Sequence, residues 1–340
     1  MVPLALGLIF LPTAPTDRLP PPITVEVDGR VVMLAPGSSL GALREIHGIT
    51  PAHGDLLGVD GLPLEESRFP GHLLVNGEHA ASQTILADAD RVSVVDGEDR
   101  MEETTSQVIQ IPPGQFANPQ TFLGTQAGEQ VIVTGALSGK VASSVFRPTG
   151  DSEQPLEVAL TFDDGPHPRW TERVLRVLER KKATATFFVV GYLVDRYPEI
   201  VERMRAAGMA VGNHTMNHPF RRPFGKQPRE LIQAEIRAAT AALAQQGIRP
   251  ATFRPPGGSW SPKVVNAARE VDQRVVLWSV DSRDWAGRTA AQIARGVLAE
   301  VRPGSIILLH DGGGDREPTL KALPRIITGL RRMDLKLVTL

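Results

Sequence analysis

The stretch Leu156-Glu-Val-Ala-Leu-Thr-Phe-Asp-Asp-Gly-Pro166 decides how the larger part of this chain folds. Residues 156–162 are mostly apolar and strand-forming, and they run straight into two adjacent carboxylates, Asp163 and Asp164, ahead of a Gly-Pro turn. A strand that ends in charge points to an α/β fold, in which chemistry gathers at the carboxyl ends of strands. Neighbouring side chains on extended backbone point to opposite sides. The two aspartates therefore suit two jobs, one holding a metal and the other handling a proton.

Downstream, strand and helix patterns alternate. Strands are predicted at 185–190, 210–212, 251–254, 274–280, 305–309 and 335–340. Helices are predicted at 171–182, 198–207, 229–246, 262–270, 289–301 and 319–331. In the first of these helices Val174, Leu175, Val177 and Leu178 form one apolar face, and in the third Leu231, Ile232, Ile236, Ala239 and Leu243 do the same. About seven strands joined by long crossovers close into a barrel or lie as an open parallel sheet. Asp163, Asp164, His214, Arg254, Asp281 and His310 all fall at or just after predicted strand ends, on the face where barrel active sites form.

Partners for the aspartates lie in His214-Thr-Met-Asn-His218. Turned through one helical turn, imidazoles at i and i+4 share a face and hold one ion. The chain has 8 histidines and no cysteine, which excludes thiolate metal sites, a cysteine nucleophile and disulfides. Oxygen and imidazole chemistry remains.

Upstream the organisation changes. With 340 residues, 41% of them hydrophobic and 22% charged, the chain is long enough for one large core and a smaller module. A net charge of -1 offers no footprint for nucleic acid. Residues 1–22, with an apolar run at 2–11 followed by prolines, read as a flexible or truncated export segment, because no basic residue precedes the apolar run. Residues 23–97 read as a small α+β accessory domain of ubiquitin-like, β-grasp outline. They comprise a hairpin at 23–34 turning on Asp28-Gly29, a helix at 40–47 and strands near 73–75 and 91–95. Its histidines are scattered, so it is assigned to binding, spacing or stability. Residues 98–154 read as a β-rich connector, and 155–340 as the chemical domain.

The chemical motifs together resemble the polysaccharide deacetylase family, the NodB-homology carbohydrate esterases (family 4). Thr161-Phe-Asp-Asp-Gly-Pro166, His214-Thr-Met-Asn-His218, Arg254-Pro-Pro-Gly-Gly258, Asp281-Ser-Arg-Asp-Trp285 and Leu308-Leu-His-Asp311 match its motifs in order, and Ala185-Thr-Phe-Phe-Val-Val-Gly191 is similar as well. Each string alone has a bland reading as a cap, a surface pair or a turn. Jointly those readings fail, since each must place charge at the end of a hydrophobic strand for no return. The resemblance implies an irregular (β/α)7-type barrel, one divalent metal, zinc foremost, and hydrolysis of N-acetyl groups from N-acetylglucosamine residues of a peptidoglycan- or chitin-like polysaccharide. It also implies an extracellular or cell-wall location, membrane-tethered if the N-terminus is truncated. No obligate protein partner is implied.

Residues and resemblance converge on a metal held by Asp164, His214 and His218 with positions left open. Asp163 is expected to take the proton from water, with Arg254 resembling the family residue that fixes it. His310 is expected to protonate the departing amine, oriented by Asp281. The backbone N–H of Gly257 resembles the family's oxyanion donor, although the family usually carries an aromatic residue there, most often Tyr. By the same resemblance Leu308 and Trp285 line the acetyl pocket, and Trp260 is a candidate stacking surface; Trp278 reads as core. Three rivals stand beside this reading. A hydrolase of a small linear or cyclic amide would use the same chemistry, a carbohydrate-binding protein without turnover would be expected to lack Asp163 or His310, and a non-haem iron oxygenase would usually sit in an all-β barrel.

Overall fold

The computed structural model describes residues 21–124, 127–149 and 156–340, so the apolar run at 2–11 lies outside the described residues. Internal contacts divide the chain into two units: residues up to Leu56 together with Glu65–Arg100, and Leu57–Leu64 together with Met101–Leu340.

The smaller unit is built on the expected hairpin. Ile23–Val27 pairs antiparallel with Arg30–Leu34 and parallel with Arg91–Val95, which continues antiparallel to His72–Val75. Helix Leu40–His47 starts at Ser39, whose hydroxyl accepts from the Ala42 N–H, and stops at the left-handed Gly48. It buries Leu40 and Leu43 against Val25, Val27, Leu34, Leu73, Leu86 and Val92. Strands His53–Leu57 and Pro63–Pro70, each divided between the two units, have no clear periodic signal, because most of their side chains are exposed or half-buried.

In the larger unit the sheet has eight strands: β1 (Glu157–Gly165), β2 (Thr186–Val189), β3 (Ala210–Asn213), β4 (Thr252–Phe253), β5 (Arg274–Val275), β6 (Val280–Asp281), β7 (Ile306–His310) and β8 (Lys336–Val338). Spatial order is β5-β4-β3-β2-β1-β7-β6, all pairs are parallel, and β8 joins the first residues of β1. This is a parallel half-barrel, the irregular barrel expected. β1 is buried along nearly its whole length, which explains its continuous apolar reading.

The crossovers are α1 (Trp170–Arg180), α2 (Gly191–Arg196), α3 (Pro198–Ala206), α4 (Arg229–Gln245), α5 (Pro262–Arg269), α6 (Ala290–Glu300) and α7 (Glu317–Arg332). One core cluster joins β1, β2 and β7 to α1, α3, α6 and α7, and a second lies under α4 and α5. The connector forms an antiparallel sheet of Thr104–Ile111, Gly128–Gly135 and Val141–Pro148. Ile132 from its middle strand is fully buried in the second cluster. Gln120 accepts from the Leu277 N–H and Leu123 donates to the Gly304 carbonyl, so connector backbone fills positions beside β5 and β7 that no barrel strand takes.

Candidate metal centre and active site

Asp163 is the last β1 residue in regular register, opposite Phe188 on β2 and His310 on β7. The ladder shifts immediately after it, and Asp164 adopts left-handed backbone with φ 72°. At a non-glycine residue that conformation costs about 1–3 kcal/mol and is held only where the surroundings impose it. Gly312, after β7, is part of those surroundings. A Cβ there would lie 1.9 Å from the Asp164 carbonyl oxygen, so only glycine permits the approach.

Asp163 is buried, and its partner is Arg254, which is wholly buried. Arg254 donates from Nη1 to Asp163 Oδ1 at 2.8 Å and to Thr161 Oγ1 at 2.8 Å, from Nη2 to the Leu277 carbonyl at 2.9 Å and from Nε to the Val276 carbonyl at 3.2 Å. Its guanidinium stacks on Phe188 at 4.1 Å. A buried cation so completely paired fixes the carboxylate beside it.

The stretch from His214 to His218 departs from the helical turn anticipated. It is a loop with left-handed backbone at Thr215 (φ 70°) and His218 (φ 47°), pinned by a bond from the His218 N–H to Thr215 Oγ1 at 3.1 Å. The loop still brings both imidazoles to one carboxylate: His214 Nε2 lies 3.4 Å and His218 Nε2 3.2 Å from Asp164 Oδ1. One donor atom from each of Asp164, His214 and His218 lies within 4.8 Å of the others. The Nδ1 of His214 is 2.7 Å from the Arg254 carbonyl, so it donates there and leaves the Nε2 lone pair facing the cluster. Two imidazoles and a carboxylate converging in this way fit a divalent cation. Burial works against charge on Asp164, but the His214 hydrogen bond and the three nearby histidines override it and hold the carboxyl below its ordinary range. For His214, burial is outweighed by the Asp163 and Asp164 carboxylates, and its pKa rises. For His218, burial and the neighbouring His214 outweigh the Asp164 carboxylate, and its pKa falls.

His310 ends β7 opposite Asp163. Its orienting carboxylate is Asp284, not Asp281. Asp284 Oδ1 lies 2.7 Å from His310 Nδ1, while Asp284 Oδ2 accepts from the His310 N–H at 3.0 Å and from Thr319 Oγ1 at 2.8 Å. Asp281 turns its carboxylate onto the next turn instead, accepting from the Arg283 N–H at 2.8 Å. Left-handed backbone at Arg283 (φ 50°) then swings Asp284 back beneath the imidazole. Burial disfavours the His310 cation, but the Asp284 carboxylate overrides it and pushes its pKa up to about 9.

Asp311 ends the motif Leu308-Leu-His-Asp311, but the sequence assigns it no role. It is fully buried, accepts from Thr171 Oγ1 at 2.5 Å and leaves its Oδ1 without a partner. Burial pushes it up to about 7. Its adjacency to His310 was the signal available.

Leu308 is buried two residues before His310, on the same face of β7, and Trp285 is half-buried directly after Asp284. Gly257 is exposed, with φ 60°, in the loop that follows Arg254. Trp260 is half-buried against the second core cluster with its indole N–H buried and unpartnered, so part of its ring is committed to packing. Trp278 is in the core.

Comparison with known proteins follows the same part of the chain. The polysaccharide deacetylase family model matches residues 151–276. A peptidoglycan-N-acetylglucosamine deacetylase of Bacillus cereus is 39% identical over 184 residues, covering 54% of this chain and 85% of the relative. A chitooligosaccharide deacetylase of Bradyrhizobium sp. is 39% identical over 201 residues, covering 56% of this chain and 91% of that one. The solved peptidoglycan N-acetylglucosamine deacetylase Bc1960 superposes with a TM-score of 0.52 at 36% identity, over 55% of this chain and 86% of that structure. With the strand-end carboxylates, the paired imidazoles and this extent of likeness in one barrel, the chain belongs to the polysaccharide deacetylase family.

Proposed function

We propose that the protein removes the N-acetyl group from N-acetylglucosamine residues of a peptidoglycan- or chitin-like polysaccharide, outside the cytoplasmic membrane. The observation that carries this reading is the pairing of Asp163 with the wholly buried Arg254, beside Asp164, His214 and His218 and opposite His310. Asp164, His214 and His218 would hold a first-row divalent ion, zinc foremost given the donor set. Such an ion supplies Lewis acidity toward the acetyl carbonyl and lowers the pKa of water.

The chain's own groups perform the rest. Asp163, fixed by Arg254, takes the proton of the attacking water. The N–H of Gly257 meets the negative charge that develops on the acetyl oxygen. His310, kept protonated by Asp284, donates from Nε2 to the departing amine nitrogen, so acetate and a free amine leave. Leu308 and Trp285 exclude water around the acetyl methyl. Asp281 keeps a local role in the turn that brings Asp284 into place. The smaller unit, with its hairpin, helix and parallel first and last strands, is a β-grasp-like accessory domain that places the enzyme on an insoluble polymer. Among the described residues no helix is long and apolar enough to cross a membrane.

The deciding experiment incubates the purified protein with acetylated chitin oligomers, peptidoglycan and a panel of small cyclic amides, with and without chelator, and measures acetate and new amine. Metal-dependent acetate release from either glycan is expected. Opening of a cyclic amide with no acetate from either glycan overturns the substrate and leaves the site chemistry standing.

A further inference from the structure

The space beside Gly257 is filled from elsewhere in the same unit. A Cβ built on Gly257 would meet Lys140, with Cε at 3.5 Å and Cδ and Cγ at 3.9 Å. Lys140 precedes the strand Val141–Pro148, and its N–H donates to Ser138 Oγ at 3.1 Å. Its ammonium is ion-paired with Asp60, on the segment Leu57–Leu64 that belongs to the barrel unit. The stem of a lysine usually moves freely on a surface. Here one end is fixed by the turn and the other by a carboxylate, and the side chain is 30% exposed while that of Asp60 is 15% exposed.

An ammonium carries three donors, of which Asp60 takes one. The pair is nearly neutral and sets donors beside a carboxylate acceptor, next to the loop that carries Arg254 and Gly257. A sugar hydroxyl, itself donor and acceptor, suits that combination, whereas a further carboxylate would meet Asp60. We propose that Lys140, held by Asp60, is a specificity-determining residue that binds a hydroxyl of the acetylated sugar, at the wall where the family usually places an aromatic ring. This rests on the deacetylase reading of the site.

The test uses the full chain and four variants: Lys140→Met, which keeps the apolar stem and removes the ammonium, Lys140→Ala, Lys140→Arg and Asp60→Asn. Each is assayed for kcat and KM on the N-acetylglucosamine tetramer and on 4-nitrophenyl acetate, and for tetramer binding by calorimetry. Loss of a charged hydrogen bond predicts that Lys140→Met raises KM and Kd for the tetramer about tenfold. The loss on the tetramer should exceed that on the small ester by a similar factor, Lys140→Arg should recover part of it, and Asp60→Asn should move in the same direction. An unchanged Kd in Lys140→Met overturns the proposal, and so do equal losses on both substrates, which would mark the residue as a prop. A parent that binds the tetramer without releasing acetate sinks the deacetylase reading while the binding series still decides Lys140. A parent that neither binds nor turns over the tetramer sinks both.

Discussion

Asp163 and Asp164 are adjacent in sequence but sit in opposite electrostatic settings. Asp163 answers to the buried Arg254 and Asp164 to the two imidazoles. Asp163→Asn is therefore expected to keep the metal and lose about 10²- to 10⁴-fold in kcat, the scale of a positioned acid or base. Asp164→Asn should lose metal instead, and elemental analysis of both variants checks the division. His310 gives a second expectation. With its pKa pushed up to about 9, it stays protonated through neutrality and loses its proton as pH rises past that value, so an alkaline limb of kcat/KM is expected there. The same raised pKa makes the His310–Asp284 pair a source of stability present in full below the ordinary histidine value and lost as pH climbs through about 9. Asp284→Asn removes the carboxylate that outweighs burial, so the limb should move to lower pH and kcat should fall. A pH profile unchanged in that variant would argue against His310 as the acid. Sequence spacing favours Asp281 as the partner of His310, whereas the structure puts Asp284 on the imidazole. Asp281 ends β6 and Asp284 lies just beyond it, and the decision lies in one left-handed residue, Arg283.

Elements with a strong period were legible. The apolar stripe at 229–246 became α4, Arg229–Gln245, and helix Leu40–His47 matched its expected bounds, because burial of one face fixes both where the apolar residues fall and where the helix stays. Elements whose backbone serves distant partners were not. The run 274–280 reads as one strand, yet it breaks between β5 and β6. The Leu277 N–H goes to Gln120, the Ser279 N–H goes to Ile306, and Arg254 takes the Val276 and Leu277 carbonyls. The short α2 was missed for a similar reason: its first N–H groups donate to the Thr215 and Met216 carbonyls of the histidine loop, which no local signal announces. That loop brings two imidazoles to the Asp164 carboxylate without being helical, so the i, i+4 spacing marks their convergence but not the backbone that achieves it. Helix α6, by contrast, is held by a local device. Thr289 Oγ1 accepts from the Gln292 N–H at 3.3 Å, and Gln292 Oε1 accepts from the Thr289 N–H at 2.9 Å. Thr289→Ala should cost about 1 kcal/mol by urea unfolding. Because this cap touches no group of the site, kcat/KM should stay within experimental error; a large drop in activity would mean α6 positions the chemistry more directly than its contacts suggest.

At the scale of the whole chain, the least legible feature is that Leu57–Leu64, embedded in sequence within the smaller unit, belongs to the barrel unit. Composition and turn signals drew one contiguous module at 23–97, because nothing local marks a segment whose partners lie some forty to eighty residues further on. Glu102 is the hub of those partnerships. Its buried carboxylate accepts from the Val59 N–H at 3.0 Å, the Leu137 N–H at 2.7 Å, the Ser138 N–H at 2.8 Å and Ser138 Oγ at 2.5 Å. Burial alone would raise its pKa, but the Ser138, Val59 and Leu137 hydrogen bonds bring it below the ordinary glutamate value. A depressed carboxylate contributes stability above its unfolded pKa and loses it as pH falls through the folded one, so this clamp should loosen in acid. Glu102→Gln keeps the shape and replaces one acceptor oxygen with an amide that faces N–H donors. It should destabilise the barrel unit by about 1–3 kcal/mol, read by urea unfolding near neutral pH. Ser138, one of the clamped residues, also holds the Lys140 N–H, and Asp60 follows the clamped Val59 directly. The variant should therefore raise KM for an acetylated oligosaccharide in the same direction as loss of the lysine ammonium, with metal content unchanged. A Glu102→Gln protein that unfolds at the parental urea concentration with the parental KM would show that the segment and the turn hold their places without this carboxylate.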